Sequence, residues 1–145
     1  MNWKFEAIEK LMAYEAKKNS LLSIPEEIAR LEEAACGIRA ASTDARPVTG
    51  GCSTREDMLL SNIVLRQELE RQLSDAERWV KIVDGGLAVL SDDDKRVLEL
   101  MYINSARGNV DRLCEELSIE KSGVYKRRDK ALRKLTLALY GITET

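Results

Sequence analysis

Leu69, Leu73, Ala76, Val80, Val83, Leu87 and Leu90 step along the chain by 4, 3, 4, 3, 4 and 3. Only an α-helix keeps such positions on one line, because 3.6 residues per turn returns every third or fourth side chain to the same face. Ile24, Ile28, Leu31, Ala35 and Ile38 repeat the rhythm. Each line is narrow, a seam that one neighbouring helix covers. Between them lies ASTDARPVTGGCST (41–54), which mixes Ser, Thr, Pro and Gly without a period and reads as a mobile loop, the first place for a protease to cut. Two seams joined by one loop predict an antiparallel, coiled-coil-like helical hairpin over residues 1–90. The same stripes suit a second copy of the chain. A homodimer through residues 1–90 is therefore expected, with the Leu69–Leu90 seam as its contact.

Three places strain this pattern. Apolar residues at 5, 8 and 12 set the inward face of a first helix over roughly residues 3–20. SIPEE (23–27) then offers a restart, with Ser23 as cap and Glu26 three residues on, although one long helix kinked at Pro25 fits as well. Gly85-Gly86 interrupts the second seam at a helix cost of roughly 2 kcal/mol relative to alanine. The register continues past both glycines, which favours a continuous helix or a hinge over a loop.

Composition removes most chemistry. The 145 residues contain no histidine and three widely spaced cysteines, Cys36, Cys52 and Cys114. Neither a zinc site nor a disulfide framework is expected, and no other cofactor is implied. No glycine-rich phosphate loop is present, and no pair of carboxylates stands apart from the solvated charge, so the chain does not read as an enzyme. Apolar runs fall far short of the ~20 residues that span a bilayer, and MNWKFEAIEK lacks the apolar centre of a signal peptide. No membrane association and a cytoplasmic location are expected.

The charge is unevenly placed. IEKSGVYKRRDKALRKL (119–135) holds seven Lys or Arg against two acids, a net +5 in a chain whose total is −2. Residues 1–90 carry 12 basic and 15 acidic groups and should add little to phosphate binding. Around the basic segment, Ser91 caps a helix with Asp92, Asp93 and Asp94 in its first turn and Val97, Leu98, Met101 and Tyr102 on its apolar face. SARGN (105–109) is a turn, a short helix follows at about 109–117, and after a tight turn the basic helix runs from about 120 to 140. That layout is a helix-turn-helix. Leu113, Cys114, Leu117, Ile119, Val124, Ala131 and Leu135 form its core, which makes Cys114 a packing residue. At ~100° per residue from Val124, Ala131 and Leu135 lie within about 20° of the core direction. Ser122, Asp129, Arg133, Lys126 and Lys130 point outward at roughly 140–240°, with Tyr125 on the flank near 100°. Lys121, Ser122, Tyr125 and Lys126 would meet base edges, while Arg127, Lys130 and Arg133 would meet phosphates. Gly123 would let the backbone approach the duplex. Arg128, near 40°, leaves a structural role and a phosphate contact equally open.

LSDDDKRVLELMYI…GNVDRLCEELSIEKSGVYKRRDKALRKL (90–135) resembles the DNA-binding region four of bacterial sigma factors. The resemblance rests on Leu90-Ser91, Val97-Leu98, Tyr102, Leu117, Ile119, Val124, Arg127, Ala131-Leu132 and Leu135. The whole chain looks like phage and prophage transcriptional regulators of the ArpU/RinA type, which pair an N-terminal coiled hairpin with a sigma-like helix-turn-helix. IPEEIARLEEAACGIRAASTDARPVTGGCSTREDMLLSNIV (24–64) fits that first half. The resemblance implies an all-α regulator of late phage genes that binds double-stranded promoter DNA and contacts host RNA polymerase. Gly123 and Arg128 depart from the family pattern, which leaves the base preference open. Two rival readings remain, a small-terminase-like DNA-packaging protein and an RNA-polymerase-binding protein that never touches DNA.

Overall fold

The computed structural model describes residues 2–43 and 51–142. All regular structure there is helical: α1 (Trp3–Thr43), α2 (Gly51–Ala88), α3 (Asp92–Leu98) with a π-helical turn (Glu99–Ile103), α4 (Asn109–Leu117) and α5 (Lys121–Tyr140). The fold is all-α, as the seams required. Of the segment expected as a mobile loop, 41–54, residues 41–43 belong to α1 and 51–54 to α2. Alanine is the best helix former, so the change of composition at Ala41 ends the seam and not the helix. Residues 44–50 lie outside the described residues.

Two compact units divide the chain, residues 19–77 and residues 1–18 with 78–145. In the first, Ile24 and Ala35 of α1 and Ala76 of α2 are buried along the two seams. The helix does not restart at Ser23. Pro25 lies inside a continuous α1 and faces solvent, so its ring meets no packed neighbour while Ile24 beside it is held inward. The seam also contains a polar residue. Asn62 is buried and donates to the Leu31 carbonyl at 2.8 Å, while its own Oδ1 accepts from Arg66 Nε at 2.8 Å. A side chain satisfied in this way fixes the register of α1 against α2 in this unit, because a slip would leave the buried amide without partners.

In the second unit the early turns of α1 bury Ala7, Leu11 and Tyr14. The expected face at 5, 8 and 12 is wrong, for Phe5 and Met12 are exposed and Ile8 is only half-buried. The Trp79 indole donates to the Lys10 carbonyl at 3.2 Å, and Tyr14 donates its hydroxyl to Asp84. Burial, reinforced by that carboxylate, pushes the Tyr14 hydroxyl up to about 12. Helix α2 runs unbroken through Gly85 and Gly86. Gly86 is the residue that needs no side chain: a Cβ there would stand 2.8 Å from Leu135 Cδ1 and 2.8 Å from Leu139 Cδ2 of α5. Trp3 stacks on Tyr140 with ring centroids 5.0 Å apart, and Lys4 pairs with Asp129 at 3.6 Å. Helices α3–α5, expected to form a domain from residue 91 onward, thus share their compact unit with the first turns of α1 and the last turns of α2. Leu132 and Thr136 of α5 are buried alongside the anticipated Val124, Ala131 and Leu135.

Candidate nucleic-acid interface

Helix α3 begins where its sequence requires. Ser91 has extended backbone, and its Oγ accepts from the Asp94 amide at 3.3 Å. The helix then widens, with the Asn104 amide reaching the Glu99 carbonyl at 2.7 Å, five residues back. Buried Asn109 at the start of α4 donates to the carbonyls of Leu100 at 2.7 Å and Asn104 at 2.9 Å. Its amide satisfies acceptors that the wide turn leaves open. Arg96 ties α3 to α4 through a bidentate pair with Glu116, 2.9 Å and 3.0 Å, and holds that carboxyl below the usual carboxylate range.

Helices α4 and α5 meet through a three-residue turn. Ser118 takes the left-handed conformation at φ 55°, and the Ile119 amide closes back on the Cys114 carbonyl at 3.2 Å. Val97, Leu100, Leu113 and Val124 are buried together, with Met101, Val110, Cys114, Leu117 and Ile119 packed around them. Cys114 therefore sits in packing, as its small size suggested. Leu100 was missed by the sequence reading, because the π-helical turn changes the phase after Leu98.

This scaffold sorts the cations of α5 into two sets. Lys121, Ser122, Lys126, Lys130 and Arg133 are exposed. None of the four cations among them has an acidic partner among the described residues. Tyr125 is 39% exposed, with the Arg128 guanidinium 5.1 Å from its ring centre. Lys121 and Tyr125 border a cleft with Gly108, Asn109 and Asp111 at the start of α4. Lys126 and Lys130 border a second cleft with Ser91, Ile119 and Gly123. Gly123 is half-buried, and a Cβ there would meet Ile119 at 3.4 Å, so its bare face is turned toward the turn residue.

The second set is engaged. Arg127, expected on phosphate, places Nε 3.4 Å from Asp94 and Nη2 3.6 Å from Asp93. Lys134 places Nζ 3.2 Å from the other Asp94 oxygen. Burial pushes the Asp94 carboxyl up, but Lys134, Ser91 and Arg127 outweigh it and leave the group below its ordinary value. Arg128 pairs with its neighbour Asp129 at 2.9 Å and lies over the Tyr125 ring. Asp94 is the residue that sequence reasoning missed. It counted only as a first-turn acid, and nothing local showed that α5 would return to it.

The described residues contain no group of three or more His, Cys, Asp or Glu that could hold a metal ion, and no described helix is long and apolar enough to cross a membrane. What they define is an all-helical chain with a partly neutralised basic helix at its surface. Residues 38–136 match the family described as "Protein of unknown function (DUF1492)", and the chain belongs to that family. Neither a curated protein nor a solved structure matches it.

Proposed function

We propose that this chain is a sequence-specific DNA-binding regulator of phage or prophage late genes, acting in the bacterial cytoplasm, with α5 as the helix that enters the major groove. One observation carries the reading. Lys126, Lys130 and Arg133 are exposed on the face of α5 opposite Val124, Ala131 and Leu135, and no acid neutralises them among the described residues. A helix held by a core on one side and bare, positive and solvated on the other is what a phosphate-lined groove requires. The sigma-region-four and ArpU/RinA resemblance adds promoter DNA and contact with host RNA polymerase to the proposal. Lys121, Ser122, Tyr125 and Lys126, at the N-terminal end of α5, face the bases, and Lys130 and Arg133 face phosphates.

Self-association through residues 1–90 remains part of the reading, but not by the Leu69–Leu90 seam. Ala76, Val80, Val83 and Leu90 of that seam are already buried within the chain. Leu60, Val64 and Leu65 of α2 are exposed and would serve instead. Such a surface also suits the packaging-protein alternative, which light scattering separates: a ring of many copies favours packaging, and a monomer or dimer favours the regulator.

The test is duplex binding as a function of salt. On a non-specific duplex, where Lys121 and Lys126 have no matched bases to read and join Lys130 and Arg133 on phosphates, the four cations imply a slope of log K against log salt near −3 to −4. Lys126→Ala changes sequence preference and costs about 1–3 kcal/mol at a matched site, whereas Arg133→Ala weakens all sequences alike. Binding indifferent to salt between about 50 and 200 mM, or none at all, removes the proposal and leaves the polymerase-only reading.

A further inference from the structure

Seven cations crowd residues 119–135, yet two of them, Arg127 and Lys134, are engaged by acids at the start of α3. Asp93 and Asp94 there oppose Arg127 and Lys134. Asp94 is the centre of this group. Its side chain is 4% exposed, and its two oxygens are divided between two partners, Oδ1 to Arg127 and Oδ2 to Lys134. Those partners are 37% and 51% exposed, so each has a stem free to swing outward if its anchor is lost. By helical phase Arg127 and Lys134 lie at about 300° and 280°, next to Lys130 at about 240°. Released, they would reach the phosphates that border the groove occupied by the free face.

We infer that Asp94 restrains DNA affinity by withholding Arg127 and Lys134 from phosphate, leaving contact with the duplex to Lys121, Lys126, Lys130 and Arg133. This rests on the DNA-binding reading above and goes beyond it, because it assigns an acidic residue of α3 the task of setting how strongly α5 holds any duplex. The physical reason is the counterion term. Every cation that neutralises a phosphate strengthens binding to all sequences equally, and it carries no information about the bases. A buried carboxylate that occupies two cations lowers the indiscriminate part of the affinity and spares the residues at the reading end. Asp94 is thus a positioning residue, acting through the side chains it holds.

The experiment measures binding of the full chain to a random-sequence duplex by fluorescence anisotropy between about 50 and 200 mM salt, for wild type, Asp94→Asn, Arg127→Ala and Lys130→Ala. Asp94→Asn should steepen the salt slope by about 0.9 if one cation is freed and about 1.8 if both are. The loss of affinity across that range then grows about 3-fold or 12-fold. Arg127→Ala should leave the wild-type slope unchanged, while Lys130→Ala should flatten it by about 0.9. A purely structural Asp94 would weaken folding without steepening the slope. A folded Asp94→Asn protein with the wild-type slope overturns the inference. If that variant does not fold, the other two decide, since equal flattening by Arg127→Ala and Lys130→Ala means Arg127 already contacts phosphate. Wild-type protein that binds no duplex defeats the DNA-binding reading itself, whereas wild-type binding with no response to Asp94→Asn defeats only the restraint.

Discussion

The unit formed by residues 19–77 and the unit that contains α3–α5 are built from the same kind of seam, yet they end in different states. In the first, two helices cover one line of contact. Ile24, Ala35 and Ala76 are buried, while Met58, Leu60, Val64 and Leu65 remain in water. In the second, several helical segments converge, and Leu11, Val83, Leu98, Leu113, Leu132 and Leu135 are fully enclosed. A heptad-like rhythm therefore specifies a line of contact but not a core. Enclosure comes from additional elements, and here Gly86 admits α5 to a seam that would otherwise be half open. The unit with the enclosed core is also the one that presents the basic helix, whose outward face depends on a fixed inward one.

The largest test of this contrast is removal of a side chain from the enclosed unit. Leu135→Ala should lose about 2–5 kcal/mol in denaturant unfolding, the range for cavities in a packed core. A loss under about 1 kcal/mol would mean that α5 is loosely held and the contrast is false. Asp94 supplies the next test, on acid. Its folded value lies below its ordinary 3.8, so its contribution is complete above that pH and disappears as pH falls through the folded value. Wild type should exceed Asp94→Asn in stability by about 1–3 kcal/mol at neutral pH, and the two should converge in acid. A gap that does not narrow as pH falls below 3.8 would place the effect elsewhere.

Two adjacent glycines give smaller effects of opposite sign. Gly85 has open space where a Cβ would go, so Gly85→Ala should stabilise by about 0.5–1 kcal/mol through helix propensity. Gly86→Ala gains the same propensity but forces a methyl against Leu135 and Leu139, and should destabilise by about 1 kcal/mol net. Equal stabilisation by both would show that α5 yields easily. The smallest effect belongs to the open unit: Val64 is 56% exposed, and Val64→Ala should change stability by less than about 0.5 kcal/mol. A larger loss that grows with protein concentration would sharpen the comparison by showing that a second copy covers this face.

Much of the fold was legible in the seam from Leu69 to Leu90 and in the Ser91 cap, because both are local signals. The first face of α1 was misread because Phe5 and Met12 are more apolar than Ala7. Counting Ala7, Leu11, Tyr14, Leu21 and Ile24 instead would have carried one register into the second half of α1 and shown that Pro25 does not end it. At the candidate interface, helical phase alone identified Lys126, Lys130 and Arg133 as outward. It could not reveal that Arg127 is engaged, since its partner Asp94 lies 33 residues earlier and meets it only through the packing of α3 on α5. Asn62 was unreadable for the same reason, its partner being a backbone carbonyl 31 residues away.

The wide turn at Glu99–Ile103 bears on how this chain tolerates changes in length. A π-helical turn is an α-helix holding one residue more than its span needs. Deleting a single residue there lets the helix close into regular geometry while Val97 before it and Asn109 after it keep their places. The same deletion within Asp92–Leu98 has no slack to absorb it and would rotate Val97 and Leu98 out of the core. Insertions and deletions among relatives should therefore gather between Glu99 and Asn104, where the fold has already accommodated one.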